Sequence, residues 1–174
     1  MINDGTFYNT IGVAIAIAGE HGLTKDTEVR TRFLDRLDRI MDDTGAGGDV
    51  VEVLKELRKK GFKMGIVTFQ RKPRLERRLE TWKLKGYFQS IITTEQHAEF
   101  KPSPQPFLTA IEELGLKPAQ CFVVGDEPVD MIGGKKAGTK TVGLPRGFFS
   151  EEELKSAGAD FIISSITLLP QTVK

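Results

Sequence analysis

Cysteine is nearly absent: Cys121 stands alone among 174 residues. A lone thiol excludes an intrachain disulfide and any zinc site built on cysteines, and it suits a reducing, cytoplasmic compartment. Net charge is nearly absent too, because 25 Lys and Arg oppose 24 Asp and Glu for a sum of +1. With no whole-chain field to draw in nucleic acid or an acidic membrane surface, neither is an expected partner. Long apolar runs are also missing. The longest, from Ile11 to Gly19, falls far short of the roughly 20 residues a membrane-spanning helix needs. It has the length of a signal-peptide core, but Asp4 is the only charge before it, and a secretory signal requires a basic leader. The remainder is ordinary for a globular domain, with 39% hydrophobic and 28% charged residues. A chain of this length supports one domain with a small insertion and buries roughly 70% of its unfolded surface.

From about residue 48 onward, short apolar runs alternate with amphipathic ones. Strands are predicted at Phe62–Thr68, Ser90–Thr94, Cys121–Gly125, Lys140–Leu144 and Asp160–Ser164. Helices are predicted between them at Asp49–Lys60, Pro73–Leu84, Ser103–Leu114, Val129–Ala137 and Ser150–Ala157. Val50, Val53, Leu54 and Leu57 show the helical spacing that lines up one apolar face. Gly61, Gly115, Gly138 and Gly158 stand where these helices should stop. Regular alternation of this kind predicts an α/β fold, a parallel Rossmann-like sheet covered by helices on both faces.

Residues 8–46 break the rhythm with two helical patterns, Tyr8–Glu20 and Lys25–Asp42, and no strand. They read as a small helical insertion joined to the rest by the acidic, glycine-rich stretch at 42–49. The basic run Arg71, Lys72, Arg74, Arg77 and Arg78 reads as a solvated helix face. Docking of an acidic polymer there is disfavoured because Glu76 and Glu80 offset its charge.

In open parallel sheets ligands bind beyond the carboxyl ends of the strands, and four such places carry suggestive groups. Asp126 and Asp130 follow the strand at 121 and lie on one side of the chain. They suit either a shared hard cation such as Mg2+ or simple capping of the next helix. Thr68 ends its strand, where its hydroxyl and the following N–H groups suit a phosphate oxygen or an ordinary helix start. Lys101, before Pro102, Ser103 and Pro104, is either a neutraliser of phosphate charge or surface decoration. Asp4, Gly5 and Thr6 form an anion-friendly turn or merely another helix start.

Taken together, DGT at 4–6, a strand ending in Thr68, Lys101 in KPSPQPF and the Asp126–Asp130 pair in GDEPVD resemble the haloacid dehalogenase superfamily. The similarity is greatest to its phosphoglycolate phosphatase and β-phosphoglucomutase branch, which carries a helical cap. The resemblance implies a core at 1–7 and 47–174 with a small cap at 8–46. It implies Mg2+-dependent hydrolysis of a small phosphorylated metabolite through an aspartyl-phosphate, by a monomer or weak dimer. Asp4 would act as acid and base and approach the metal, with Asp126 and Asp130 as the other metal-site carboxylates. Gly5, Thr6, Thr68, Phe69 and Lys101 would bind the phosphoryl group, Thr68 and Lys101 as part of the catalytic set. Tyr8, Asn9 and Asp43 near the cap hinges reach the substrate or simply the surface. His21 and His97 match no motif position, and Trp82 and Phe88 read as core.

The resemblance also exposes a departure. The family motif is DxDGT, and Ile2 stands in the nucleophile's position; isoleucine neither attacks phosphorus nor binds a cation. The central strand that should precede it has no counterpart either. Two expectations follow: a shortened version of an enzyme, or an inactive relative that keeps a phosphate- or metal-binding cleft as an interaction module.

Overall fold

The computed structural model describes residues 47–96, 99–145 and 148–173. The expected cap at 8–46 lies outside the described residues, as do Ile2, Asp4, Gly5, Thr6, Tyr8, Asn9, His21, Asp43 and His97. Helix α1 (Gly48–Lys59) leads to strand β1 (Gly65–Thr68), α2 (Lys72–Thr81) and β2 (Ser90–Thr93). Next come α3 (Gln105–Glu113), β3 (Phe122–Gly125), α4 (Pro128–Lys136) and β4 (Lys140–Gly143). The described chain closes with α5 (Glu151–Ser156), β5 (Phe161–Ile162) and the short α6 (Leu169–Thr172).

Every predicted strand and helix from residue 48 onward is found, and the differences are at the ends. The strand expected from Phe62 opens only at Gly65, because the Met64 N–H donates to the side-chain carbonyl of Gln89 at 2.9 Å rather than to a neighbouring strand. The last strand shrinks to Phe161–Ile162, with Asp160 turned from strand residue to side-chain linker. Helix breaking follows the glycines: Gly61, Gly115, Gly138 and Gly158 all take left-handed backbone after a helix, Gly138 at φ 83°, where a side chain would strain.

All ladders are parallel, but they form two sheets. One is β1–β2 and the other runs β3–β4–β5. Among the described residues no ladder joins β1 to β3. Helices cover both faces. Ile66 packs with Leu75 and Leu79 of α2, whereas the next position back, Gly65, faces Leu114 at the end of α3, as strand alternation requires. On the α3 side, Phe107 fits against Gly133 of α4 so closely that a Cβ at 133 would collide with its ring. On the other side Val53 and Leu57 of α1 meet Val142, Leu169 and Val173.

The basic run on α2 is not wholly solvated: Arg78 is buried beside Leu75 and Leu79, its guanidinium 5.7 Å from the Trp82 ring centre. The helix turns that position toward the core, so the stem packs there and the charge lies over an aromatic face. Trp82 and Phe88 pack against the same cluster, as expected. None of the described helices is long and apolar enough to cross a membrane.

Candidate phosphate and metal site

The carboxyl ends of β1 and β3 gather the described residues singled out from the sequence. Lys101 reaches back from the loop before α3, and its ammonium lies 2.8 Å from Asp130 Oδ1 in the first turn of α4. Both side chains are under a tenth exposed, so each charge depends on the other for compensation. The second oxygen of Asp130 accepts the Glu127 N–H at 3.4 Å. Asp130 therefore caps its helix, one of the two readings its spacing left open, and also pairs with Lys101, which neither reading foresaw. Gly125 makes this possible, since a Cβ at that point would run into the Asp130 carboxylate.

Phe69, just after β1, closes the other side of the lysine. The Lys101 ammonium sits 4.6 Å from the centre of the Phe69 ring, which in turn meets Phe100 at 5.1 Å between ring centres. Phe69 is itself about half exposed. A charge held by a carboxylate on one side and an aromatic face on another has a fixed direction. Thr68 and Phe69 are thus brought to the same end of the fold as Lys101.

Thr68 does not cap α2. Its hydroxyl accepts the Gln70 N–H at 3.2 Å, and the helix begins only at Lys72. The helix N-terminus is already served by Glu95, whose carboxylate accepts the Lys72 N–H at 2.9 Å and the Arg71 side chain at 3.0 Å. Those bonds, the Lys72 N–H first, hold the Glu95 carboxyl below its ordinary range. An anion placed on this side would therefore meet Thr68 and the turn at 69–70 rather than the helix end.

Asp126 follows β3 directly and is partly buried. Next to it is Glu127, which the sequence reading passed over. Burial pushes its carboxyl above the ordinary glutamate range, and the neighbouring Asp130 and Asp126 charges push the same way against Lys101. Its signal was visible as the middle acid of GDEPVD, but only folding supplies the burial. Cys121, at the other end of β3, has its thiol pushed up by burial, which does not suit a nucleophile.

Among the described residues no group of three His, Cys, Asp or Glu side chains can hold a metal. Mg2+ asks for less, since one or two carboxylates with several waters suffice. Asp126 at the end of β3 offers one such carboxylate; both Asp130 oxygens are engaged by Lys101 and the Glu127 N–H, and Asp4 lies outside the described residues.

Residues 8–144 match the model of the haloacid dehalogenase-like hydrolases, a match that starts after Asp4, Gly5 and Thr6. Pyrophosphatase PpaX of Bacillus cereus is 35% identical over 122 residues, 70% of this chain and 56% of that protein. The protein of the same name from Bacillus mycoides is also 35% identical over 122 residues, 57% of its length. The chain thus matches little more than half the length of these curated relatives. Among solved structures, a phosphatase of this family from Thermococcus onnurineus superimposes with a TM-score of 0.68 at 30% identity, covering 80% of this chain and 63% of that one. A hydrolase from Pseudomonas syringae does so with a TM-score of 0.70 at 26% identity, covering 90% and 74%. With its parallel α/β core, its clustered strand-end residues and a family match over most of its length, the chain belongs to the haloacid dehalogenase-like hydrolases.

Proposed function

We propose that this site is the phosphate- and Mg2+-binding part of a phosphohydrolase that acts on a small phosphorylated metabolite through an aspartyl-phosphate. Inorganic pyrophosphate is a candidate substrate, because relatives carry the name pyrophosphatase. The observation that carries the reading is the buried Lys101 ammonium, held 2.8 Å from Asp130 at the strand ends that also carry Thr68 and Asp126. A buried, oriented cation at a strand end suits neutralisation of phosphoryl oxygens, which is most of what catalysis of phosphoryl transfer requires.

In this reading Lys101 and the Thr68 hydroxyl bind the phosphoryl oxygens, and Phe69 keeps water from one side of the lysine. A carboxylate oxygen bonds to phosphorus as the bond to the leaving oxygen breaks, and Asp4 gives that oxygen its proton. Asp4 then takes a proton from water as the water oxygen bonds to phosphorus, releasing the carboxylate and inorganic phosphate. Mg2+, when bound, neutralises oxygen charge; Asp126 would hold it, with Asp130 and Asp4 supporting. Residues 8–46 would cap the site and select the substrate, and the protein would work in the cytoplasm as a monomer or weak dimer.

Ile2 supplies no nucleophile. The chain as written is therefore expected to hydrolyse p-nitrophenyl phosphate or pyrophosphate with Mg2+ far more slowly than its relatives. Robust turnover abolished by Asp126→Asn would mean that another carboxylate attacks phosphorus. The same isoleucine favours a second reading, an inactive phosphate-binding module. Calorimetric titration with inorganic phosphate tests it: binding that Lys101→Met removes, without turnover even when a nucleophilic carboxylate is supplied, would favour the module.

A further inference from the structure

Phe69 and Phe100 belong to no strand or helix, yet their rings meet at 5.1 Å between centres. The contact ties the turn after β1 to the loop before α3, and the Phe69 ring centre lies 4.6 Å from the Lys101 ammonium. Lys101 directly follows Phe100, so one dipeptide holds Phe69 twice, by a ring and by a charge.

The surroundings of that ammonium make the ring matter. The Lys101 side chain is only 7% exposed, so water does little to steady its charge. One of its three N–H donors goes to Asp130 Oδ1 at 2.8 Å. Asp130 is fixed in turn, because the Glu127 N–H donates to its other oxygen. A lysine stem is long and flexible, and a single bond to a carboxylate leaves the ammonium free to turn about it. The negative face of an aromatic ring is a second attractor, and it gains strength where water is excluded. With both attractors in place, the remaining donors keep one direction. Packing alone does not account for phenylalanine here: Phe69 is 48% exposed and sits in neither of the two apolar clusters.

We propose that Phe69 is a positioning residue, whose ring, braced by Phe100, aims the Lys101 ammonium at an incoming phosphoryl oxygen. The ring acts through the lysine and not by laying its face on the anion; this role rests on the phosphate-binding reading of the site. The two modes of action differ in sign. Fluorine draws electron density from the ring face, which weakens its hold on a cation and favours an anion placed against it.

The test titrates the full 174-residue chain with inorganic phosphate by calorimetry, after mono-, di- and trifluorophenylalanine are introduced in turn at position 69. These rings nearly keep the parent shape. Affinity is expected to fall stepwise, by about tenfold at the trifluoro ring, the scale of a cation–π contact out of water. Phe69→Leu keeps apolar bulk without the face and should lose as much, whereas Phe69→Tyr keeps the face and should bind like the parent. The same fluorinated series at position 100 should change affinity by less than about twofold, since that ring serves the other ring and not the charge. Affinity that stays level or rises along the position-69 series overturns the proposal while leaving the phosphate site standing. An equal fall in the position-100 series overturns it too, because the loss is then one of packing. A parent chain that binds no phosphate removes the phosphate reading itself, and the role of the ring with it.

Discussion

Val124 of β3 and Val142 of β4 are ladder partners, yet Val124 is 38% exposed and Val142 is 0% exposed. The same contrast holds on the other sheet, where Val67 of β1 is only partly buried and its partner Ile92 in β2 is fully buried. In an ordinary parallel sheet the strands nearest the middle are the most covered. Among the described residues the order is reversed on both sheets: β1 and β3 are less covered than β2 and β4. Chemistry does not explain the difference, since all four side chains are β-branched and apolar. Position does: Val67 and Val124 line the cavity between the two sheets, whereas Ile92 and Val142 lie away from it.

The largest test of the comparison concerns the Lys101–Asp130 ion pair at the ends of these strands. Lys101→Met should cost about 3–5 kcal/mol in urea unfolding, because it strands the buried Asp130 charge. Replacing both partners, Lys101→Met with Asp130→Leu, should recover most of that loss, since buried pairs are often no better than apolar residues of like size. A double variant as unstable as the single would mean that the pair holds the two sheets together in a way that packing does not replace.

Next in size is the contrast between inner and outer strands. Ile92→Ala should cost about 2–5 kcal/mol, the range for emptying a closed core site. Val67→Ala and Val124→Ala should each cost less than about 1 kcal/mol, as for side chains that water already reaches. If the inner substitutions match Ile92→Ala, Val67 and Val124 are as closely packed in solution as Ile92 and the contrast fails.

A smaller effect concerns the covered outer region. The Thr141 hydroxyl on β4 donates to the Gly158 carbonyl at 2.8 Å and accepts the Asp160 N–H at 3.1 Å, so the short β5 still leaves no loose backbone beside it. Thr141→Val keeps the shape and removes both bonds. It should cost about 1–2 kcal/mol, the usual penalty for stranding buried polar groups, read as a shift in urea midpoint with unchanged slope.

How far these features were legible in the sequence depends on their range. The order of strands and helices followed from periodicity and glycine, and Thr68, Lys101, Asp126 and Asp130 could be singled out because each follows a strand. What local pattern cannot carry is which groups meet. Nothing near Lys101 in sequence says that Asp130 is its partner, or that Phe69 lies under its ammonium; one contact joins the loop after β2 to α4 and the other joins it to the end of β1. Arg78 reads as a surface charge until Trp82 and the α2 core face are placed around it. Glu127 shows the same limit, since its shift comes from burial, which no neighbour spells out.

The smallest prediction concerns pH at the outer edge. Asp160 accepts from Lys135 at 2.7 Å and from the Thr141 N–H at 2.8 Å, and these bonds, Lys135 first, hold its carboxyl below the ordinary aspartate range. A carboxyl lowered by folding binds its proton less readily in the folded chain than in the unfolded one. Its contribution to stability is therefore fully present above the ordinary aspartate value and is lost as pH falls through the folded value. The side chain is about 30% exposed, so solvent screening limits that contribution to at most about 1 kcal/mol. Stability measured from neutral pH down through the acid range should thus decline less steeply in Asp160→Asn than in the parent, with the two curves converging at the acid end. Parallel curves would mean that Lys135 and Thr141 bind the asparagine as well as the carboxylate, and that β4 is closed by geometry rather than by charge.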